Sequence, residues 1–379
     1  MDFGAEGDPA HLRGGGGMKA ATIRDVAERA EVSVASVSRV LNGAGPVTEA
    51  TRNKVLEAAR ALQYVPHSGA RSLSTSKTQT IGVILPDLYG EFFSELIRGM
   101  DVAARSLGYH LIVSSSHDDA EEASAAIRSM RGRVDGLIVL SPHLDAANLA
   151  AGLAGRTPIL LMNGGAAAGR PSIVVDNHGG AVLAVEHLVA TGRRRIVHIA
   201  GPAGNLEAEA RLAGYLQAMA RAGLPTSVVE GEFTQASGHA AGVALARREP
   251  RPDAVFAGND NMAVGAMLAL QDGGLRIPED VAIIGFDDVP IASLVRPGLT
   301  TLRIHIAETG RSALERLVRL INAAGEAVAD TACEIVRPEL VVRPSSNPAT
   351  PTEASSVPSN AGERLRALAE TPSLKGENS

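Results

Sequence analysis

The chain has 379 residues, a formal net charge of −6, 45% hydrophobic residues and only 3% aromatic residues. This length predicts two or three domains, and the apolar content is sufficient for their cores. The single cysteine, Cys333, excludes an internal disulfide framework and is typical of a reducing compartment. No apolar run is long enough to span a membrane, and the N-terminus lacks the apolar region of a signal peptide.

The charge is distributed unevenly along the chain. Nine Lys and Arg residues stand against five acidic residues between Lys19 and Lys77, which gives this segment +4 and leaves −10 to the rest. A basic N-terminal module on an acidic body is typical of a nucleic-acid-binding protein that has a separate domain for another ligand.

The stretch TIRDVAERAEVSVASVSRVLN, from Thr22 to Asn42, predicts two short helices around a tight turn. Thr22 can cap the first helix, with Asp25 completing a capping box, and Ser33 can cap the second. Apolar residues recur at steps of three and four in both helices. Any αα-hairpin would show this pattern, so a helical hairpin and a DNA-reading helix-turn-helix remain equally open at this point.

The neighbouring segments set the domain boundaries. A third helix, predicted from Thr48 to Gln63, closes a three-helix domain over residues 20–66. Residues 67–79 are polar and predict a linker, in which the apolar Leu73 is unexpected. The Gly-rich residues 1–19 and the Pro- and Ser-rich residues 344–379 predict disordered ends.

From residue 80 to residue 343, short apolar runs alternate with helical segments. This pattern predicts an α/β fold with parallel sheets covered on both faces. Nine or more strands favour two doubly wound sheets rather than one. The first subdomain is expected at about 80–175 plus 304–323, and the second at about 176–303 plus 324–343. Ligands bind beyond the carboxyl ends of such strands, which predicts a site in the cleft between the two sheets.

Ten segments together are similar to a known family: TIRDVAERAEVSVASVSRVLN, VTEATRNKVLEAARALQYVP, ARSL, IGVILPD, RVDGLIVL, VEHLVATGRRRIVHIAGP, RLAGY, AGNDNMAVGAM, GLRIPEDVAIIGFDD and LTTLR. In order, from Thr22 to Arg343, they resemble the lactose-repressor (LacI/GalR) family of bacterial transcription regulators. The resemblance implies a three-helix helix-turn-helix headpiece, a hinge and a core like a periplasmic binding protein. It also implies a homodimer on near-palindromic operator DNA, controlled by a small effector in the cleft.

The resemblance assigns DNA contacts to the headpiece and hinge. Base reading falls to Val34, Ala35 and Arg39, of which Arg39 can make a bidentate contact to guanine and the other two offer only apolar contact. Leu73 falls where the family inserts an apolar wedge into the minor groove, which accounts for a leucine in a polar linker. Short polar side chains suit phosphate contacts, and those expected here are Thr22, Ser33, Ser36, Ser38 and Asn42.

Effector contacts are expected in the cleft. Phe92 and Phe93 follow the first core strand and can form an apolar platform, although core packing stays open for Phe93. The resemblance adds Arg211, Asn259 and Asp287, with a structural ion pair of Arg211 and Asp287 as the alternative. Further candidates are Asp176 and Phe233, and a loop that varies with the ligand contains Asn205 and Glu207.

The sequence therefore predicts a repressor of a carbohydrate-related operon, cytoplasmic and nucleoid-associated, with a sugar-like effector and no cofactor. A nucleobase or nucleoside effector stays open. A sugar-binding transport protein would share the core but would need an export signal and no basic headpiece. An enzyme is not expected, because no phosphate-binding Gly-Lys-Ser/Thr loop and no metal-spaced His/Cys cluster occurs.

Overall fold

The computed structural model describes residues 21–42, 45–64, 77–117, 119–140, 157–163, 170–323 and 331–347. Two compact units are present: residues 1–80 with 132–135, and residues 81–131 with 136–379. The predicted disorder of residues 1–19 and of the distal tail, and the predicted wedge Leu73, lie outside the described residues. Within the described ranges, no helix is both long and apolar enough to cross a bilayer.

The first unit contains the three predicted helices, α1 (Ile23–Arg29), α2 (Val34–Asn42) and α3 (Glu49–Ala61). The predicted capping box forms at Thr22, whose hydroxyl accepts a hydrogen bond from Asp25 N while its own amide donates to Asp25 Oδ2 over 2.7 Å. One fully buried valine from each helix meets at the centre: Val26, Val37 and Val55. This small core fixes the angle at which α2 leaves the turn.

The second unit has two lobes, each built on one sheet. The first lobe comprises β1 (Thr80–Leu85), α4 (Glu91–Ser106), β2 (His110–Ser115), α5 (Ala120–Met130), β3 (Gly136–Leu140), β4 (Ile159–Met162) and β5 (Ser172–Val175). Its strand order is β11-β5-β4-β3-β1-β2, where β11 (Cys333–Val336) arrives from near the end of the core. The pairings of β1 with β3, β3 with β4 and β4 with β5 are parallel, as predicted.

The second lobe follows with α6 (Asn177–Ala190), β6 (Ile196–Ile199), α7 (Leu206–Arg221), β7 (Val228–Val229), α8 (Gln235–Ala246), β8 (Ala254–Ala257), α9 (Asp260–Asp272), β9 (Ala282–Ile284) and α10 (Ile291–Leu294). Its four strands are parallel in the order β7-β6-β8-β9. Successive residues of β6 enter opposite apolar clusters, Ile196 on one face and Val197 on the other. Helices therefore cover both faces, which explains why these strands consist of apolar residues except for the buried His198 of β6.

The chain then returns between the lobes through β10 (Thr301–Arg303), α11 (Ile306–Asn322), β11 and β12 (Glu339–Val341). Helix α11 packs against α4 in the first lobe, as predicted. The assignment of all of residues 324–343 to the second subdomain is wrong, because β11 pairs in parallel with β5 of the first sheet. Only β12, which pairs antiparallel with β10, fits that assignment.

The predicted end of the core at residue 343 is also too early. Ser345 and Ser346 are fully buried, and Ser345 Oγ donates to the Ile283 carbonyl over 2.6 Å while accepting from Thr300 N. Ser346 Oγ lies 2.8 Å from His187 Nε2. These serines were assigned to the tail because their neighbours are polar, but hydrogen bonding satisfies them inside the core.

Candidate functional site

The recognition helix candidate α2 presents the predicted base-reading residues to solvent. Val34, Ala35 and Arg39 are all exposed, and Val34 has 42% of its surface accessible although it is apolar. An exposed valine beside an alanine and an arginine gives this helix face the apolar and forked hydrogen-bonding groups that suit a major groove.

The predicted phosphate-contacting residues surround that face and have partners within the headpiece. Ser33 caps α2 by accepting from Ser36 N over 3.1 Å, and Asn42 Nδ2 donates to Ser38 Oγ over 3.2 Å. With Thr22 capping α1, these contacts fix the ends of both helices. They hold the polar groups in a defined arrangement on the headpiece.

A second candidate site is a cavity of about 420 Å³ between the two sheets of the second unit. It lies beyond the carboxyl ends of strands from both lobes, where a doubly wound fold binds its ligands. Its lining residues come from the end of β3, from the loops after β1, β6, β7, β8 and β9 and from the starts of α4, α7 and α9: Pro86, Asp87, Tyr89, Phe92, Phe93, Leu140, Pro202, Asn205, Glu207, Arg211, Glu232, Phe233, Thr234, Asn259, Asn261 and Asp287.

Arg211 and Asp287 form the buried polar centre of this cavity. The guanidinium of Arg211 donates from Nε to Asn177 Oδ1 over 2.7 Å and from Nη1 to the Gly258 carbonyl, and its Nη2 lies 3.5 Å from Asp287 Oδ1. It also stacks on the Phe286 ring at 3.9 Å. These contacts leave Arg211 little freedom, which makes it a rigid element of the site.

Asp287 Oδ1 accepts no hydrogen bond although it is buried. Burial raises the pKa of the Asp287 carboxyl to about 7, with Glu207 adding to the rise and Arg211 opposing it. The backbone at this residue has φ 111° and at the following Asp288 φ 57°, both in the left-handed region. A buried acceptor without a donor on strained backbone is typical of a site that a ligand completes.

Hydrogen bonds to the buried Asp260 fix the loop that contains Asp287. Asp260, fully buried at the start of α9, accepts from Val289 N over 2.9 Å and from Thr301 Oγ1 over 2.5 Å. Burial raises the pKa of Asp260 well above its usual value, and the nearby Asp287 adds to the rise. Asp260 therefore fixes the position of the loop without lining the cavity.

Asp288 belongs to the crossover between the lobes. Its carboxylate is 2.6 Å from Nε of Arg303, the last residue of β10, and 2.7 Å from Nη2 of Arg343, which follows β12. These ion pairs connect the cavity loop to two of the chain segments between the lobes.

Asn259 and Phe233 form one wall through a shared hydrogen bond. Asn259 Oδ1 accepts from Met262 N and caps α9, while Nδ2 donates to the Phe233 carbonyl over 2.9 Å. The Phe233 backbone is left-handed, with φ 56°, and its ring lies 5.6 Å from the Arg211 guanidinium. On the opposite lobe, Phe92 and Phe93 meet edge to face with ring centroids 5.2 Å apart.

Six of the seven predicted effector residues thus line one cavity, and the seventh does not. Asp176 instead caps α6, where its Oδ1 accepts from Gly179 N over 2.8 Å. The adjoining Asn177 reaches the site instead, through its contact with Arg211. The predicted loop residues Asn205 and Glu207 also line the cavity.

Sequence reasoning missed five polar or aromatic lining residues: Asp87, Tyr89, Glu232, Thr234 and Asn261. All five follow the ends of β1, β7 or β8, and this position was the signal available to find them. Among the described residues, no group of three or more His, Cys, Asp or Glu side chains is placed to hold a metal ion.

The chain is similar to known proteins over most of its length. Residues 22–67 match the family model of bacterial regulatory proteins, lacI family, and residues 185–346 match that of the periplasmic binding protein-like domain. The chain is 35% identical to catabolite control protein A of Priestia megaterium, covering 79% of this chain and 92% of that protein. It is 35% identical to the HTH-type transcriptional repressor CytR of Escherichia coli K12, covering 86% and 96%.

Among solved structures, it is similar to the lac repressor dimer bound to operator and the anti-inducer ONPF. The TM-score is 0.78 at 32% identity, over 86% of this chain and 99% of that one. A helix-turn-helix headpiece on a two-lobed ligand-binding core defines a DNA-binding transcription regulator rather than an enzyme. The chain belongs to the lacI family of bacterial regulatory proteins, as its motifs predicted.

Proposed function

We propose that this protein is a repressor that binds a near-palindromic operator as a homodimer and that a small hydroxylated effector in the interlobe cavity controls its affinity for DNA. The observation that supports it most directly is the buried Asp287 Oδ1, which lacks a donor in a cavity of about 420 Å³. A cavity of this size suits a mono- or disaccharide or a nucleoside. A sugar as effector implies regulation of a carbohydrate-related operon. Binding to operator DNA implies association with the nucleoid.

A nucleoside or nucleobase is the second candidate. Four aromatic rings line the cavity, from Tyr89, Phe92, Phe93 and Phe233, although the whole chain has only ten Phe and Tyr residues. Such rings stack on nucleobases as well as on the C–H faces of sugars. Relatives include repressors named PurR, from Klebsiella pneumoniae, and CytR.

In the proposed mechanism, effector in the cavity changes the angle between the lobes, which changes the spacing of the two hinges in the dimer. Operator binding requires one spacing of the two hinges, so the conformation of the core sets the affinity for DNA. Whether the effector releases DNA or promotes binding depends on which state it prefers.

The DNA-binding part is tested by selecting operators from a random duplex library with the full chain. The parent should enrich near-palindromic sequences. Arg39→Ala should lose about 10- to 100-fold in affinity for the selected operator, since a bidentate guanine contact contributes roughly 1–3 kcal/mol. Arg60→Ala, at an exposed residue of α3, is the matched control. Enrichment of no sequence would contradict the proposal.

Two further substitutions test the proposed roles of the hinge and of the cavity independently. Leu73→Ala should weaken operator binding, as expected for a minor-groove wedge, and unchanged affinity would rule that role out. Arg211→Ala should abolish the effector response and retain operator binding. Loss of both properties in Arg211→Ala would indicate a folding defect, which a thermal melt would identify; Asp287→Asn, a smaller change, then repeats the test.

A further inference from the structure

This inference rests on the proposed function, because it concerns the effector of the same cavity. We propose that the effector carries no negative charge: it is an unphosphorylated molecule with several hydroxyl or amine donors and one flat apolar face. The cavity rejects sugar phosphates and nucleotides and accepts their uncharged counterparts.

The first argument is the charge of the cavity wall. Among the described residues, four carboxyl groups line it, those of Asp87, Glu207, Glu232 and Asp287, and one cation does, that of Arg211. A phosphate monoester carries close to two negative charges at neutral pH. Its approach is therefore opposed by carboxylates on both lobes, Asp87 on the first and Glu207 and Glu232 on the second.

The second argument is that Arg211 is already occupied. Its Nε and Nη1 donate to Asn177 and to the Gly258 carbonyl, and its Nη2 faces Asp287. With 4% of its surface exposed and its plane stacked on Phe286, it cannot turn a fork of N–H groups towards a phosphate without breaking these contacts.

The third argument concerns the helix N-termini beside the cavity, which would otherwise attract anions. The first turn of α7 is capped by Asn205, whose Oδ1 accepts from Glu207 N and Ala208 N. The first turn of α9 is capped by Asn259 through Met262 N. The first turn of α7 also carries two acidic residues, Glu207 and Glu209. Protein groups therefore already occupy both helix N-termini.

The remaining groups of the cavity wall define which chemical groups the ligand must have. Asp287 Oδ1 is a buried acceptor that needs a donor, and a ligand hydroxyl or amine supplies one. The rings of Phe92 and Phe93 on one lobe and Phe233 on the other offer flat apolar surfaces. A pyranose with its C–H face and a nucleoside with its base share this chemistry.

The experiment compares matched pairs of probes on the full chain by thermal shift and titration calorimetry. The pairs are D-glucose and glucose 6-phosphate, D-ribose and ribose 5-phosphate, adenosine and AMP, and cytidine and CMP. At least one uncharged member should raise the melting temperature, because a ligand that binds only the folded state stabilises it. Its phosphate ester should bind with at least about tenfold lower affinity at low salt. Added NaCl should reduce this difference in affinity, because salt screens the repulsion. The sugar and nucleoside pairs distinguish the two sources of the shared chemistry.

Variants show whether the cavity charges cause the discrimination. The double variant Glu207→Gln with Glu232→Gln removes two carboxylates from the cavity wall and should reduce the difference in affinity between an uncharged probe and its ester several-fold. Glu209→Gln, at an exposed position of α7 outside the cavity lining, should leave the difference in affinity between probe and ester unchanged. An ester that binds as tightly as its uncharged partner overturns the proposal, and so does a panel in which no uncharged probe binds. A bound uncharged ligand that leaves operator affinity unchanged instead contradicts the proposed function and leaves this inference standing.

Discussion

Asp287 is a buried carboxyl group whose protonation contributes to the stability of the fold. Burial raises its pKa from 3.8 to about 7, against the opposing effect of Arg211. Because the pKa in the folded state lies above that in the unfolded state, the stabilising contribution is complete below pH 4. It is lost as the pH rises through 7.

Replacement of Asp287 by Asn should therefore remove a pH-dependent part of the stability. Relative to the parent, the free energy of unfolding of Asp287→Asn should increase by on the order of 2–4 kcal/mol between pH 4 and pH 8, since one pKa unit corresponds to about 1.4 kcal/mol. Urea denaturation at several pH values measures this. Asp272→Asn, at an exposed position, is the control. If the free energies of unfolding of parent and variant differ by the same amount at every pH, Asp287 does not titrate in this range.

The prediction compares the free energies of unfolding of parent and variant because His198 also titrates in this pH range. Its effect on the free energy of unfolding has the opposite dependence on pH. Its ring is buried between Tyr215 and Phe256, and desolvation lowers its pKa to about 4. The stability that it contributes is present above pH 6.5 and is lost as the pH falls through 4. In the parent alone, the contributions of Asp287 and His198 partly cancel.

At the scale of elements, α4 and α10 join the two lobes at the edge of the cavity. Glu91, in the first turn of α4, accepts a hydrogen bond at Oε2 from Ile291 N, the first residue of α10, over 2.9 Å. Beside it, Gly90 lies close to Asn261, which lines the cavity from the other lobe. The hydrogen bond can form only while the lobes are at this separation.

Glu91→Ala should therefore weaken binding of the cavity ligand about three- to tenfold, because the closed arrangement loses a charge-assisted hydrogen bond of roughly 1 kcal/mol. Glu91→Gln keeps an acceptor and should lose less. Glu95→Ala, one turn further along α4, removes a carboxylate whose partner Arg98 is in the same lobe and serves as the control. Calorimetric titration measures all three, and equal affinities for parent and Glu91→Ala would exclude a closing role.

The elements also show how far the sequence could predict this molecule. The apolar runs that form β3 and β8 lie between turns, so a sequence pattern is enough to indicate strands there. The start of helix α7 at Leu206 could not be predicted, since the capping role of Asn205 is visible only in its hydrogen bonds. The position of β11 beside β5 depends on contacts between distant parts of the chain, which periodicity does not contain.

The candidate site was predictable to the extent that motifs mark it. Arg211, Asn259 and Asp287 were found through their segments, and all three line the cavity. Asp176 was misassigned because Asp and Asn at a helix start can either cap or reach a ligand, and only the structure distinguishes them. The charge of the whole cavity could not be predicted, since Glu232 and Asp87 come from different lobes.

For the molecule as a whole, the decisive quantity is the coupling between the cavity and DNA. The proposed mechanism has two conformations of the core, and both operator and effector select between them. Such a coupling is reciprocal: if the effector changes operator affinity by a factor, the operator changes effector affinity by the same factor. This requirement holds whether the effector releases DNA or promotes binding.

We therefore expect the two factors, each about 5- to 150-fold, to agree within error. Fluorescence anisotropy with a selected operator, with and without a saturating uncharged ligand, gives one factor. Calorimetric titration of that ligand, with and without a saturating operator duplex, gives the other. A duplex of scrambled sequence at the same salt concentration is the control, since non-specific binding depends on phosphate contacts and should leave ligand affinity nearly unchanged. A ligand that binds equally well with and without operator would mean that the cavity does not regulate DNA binding.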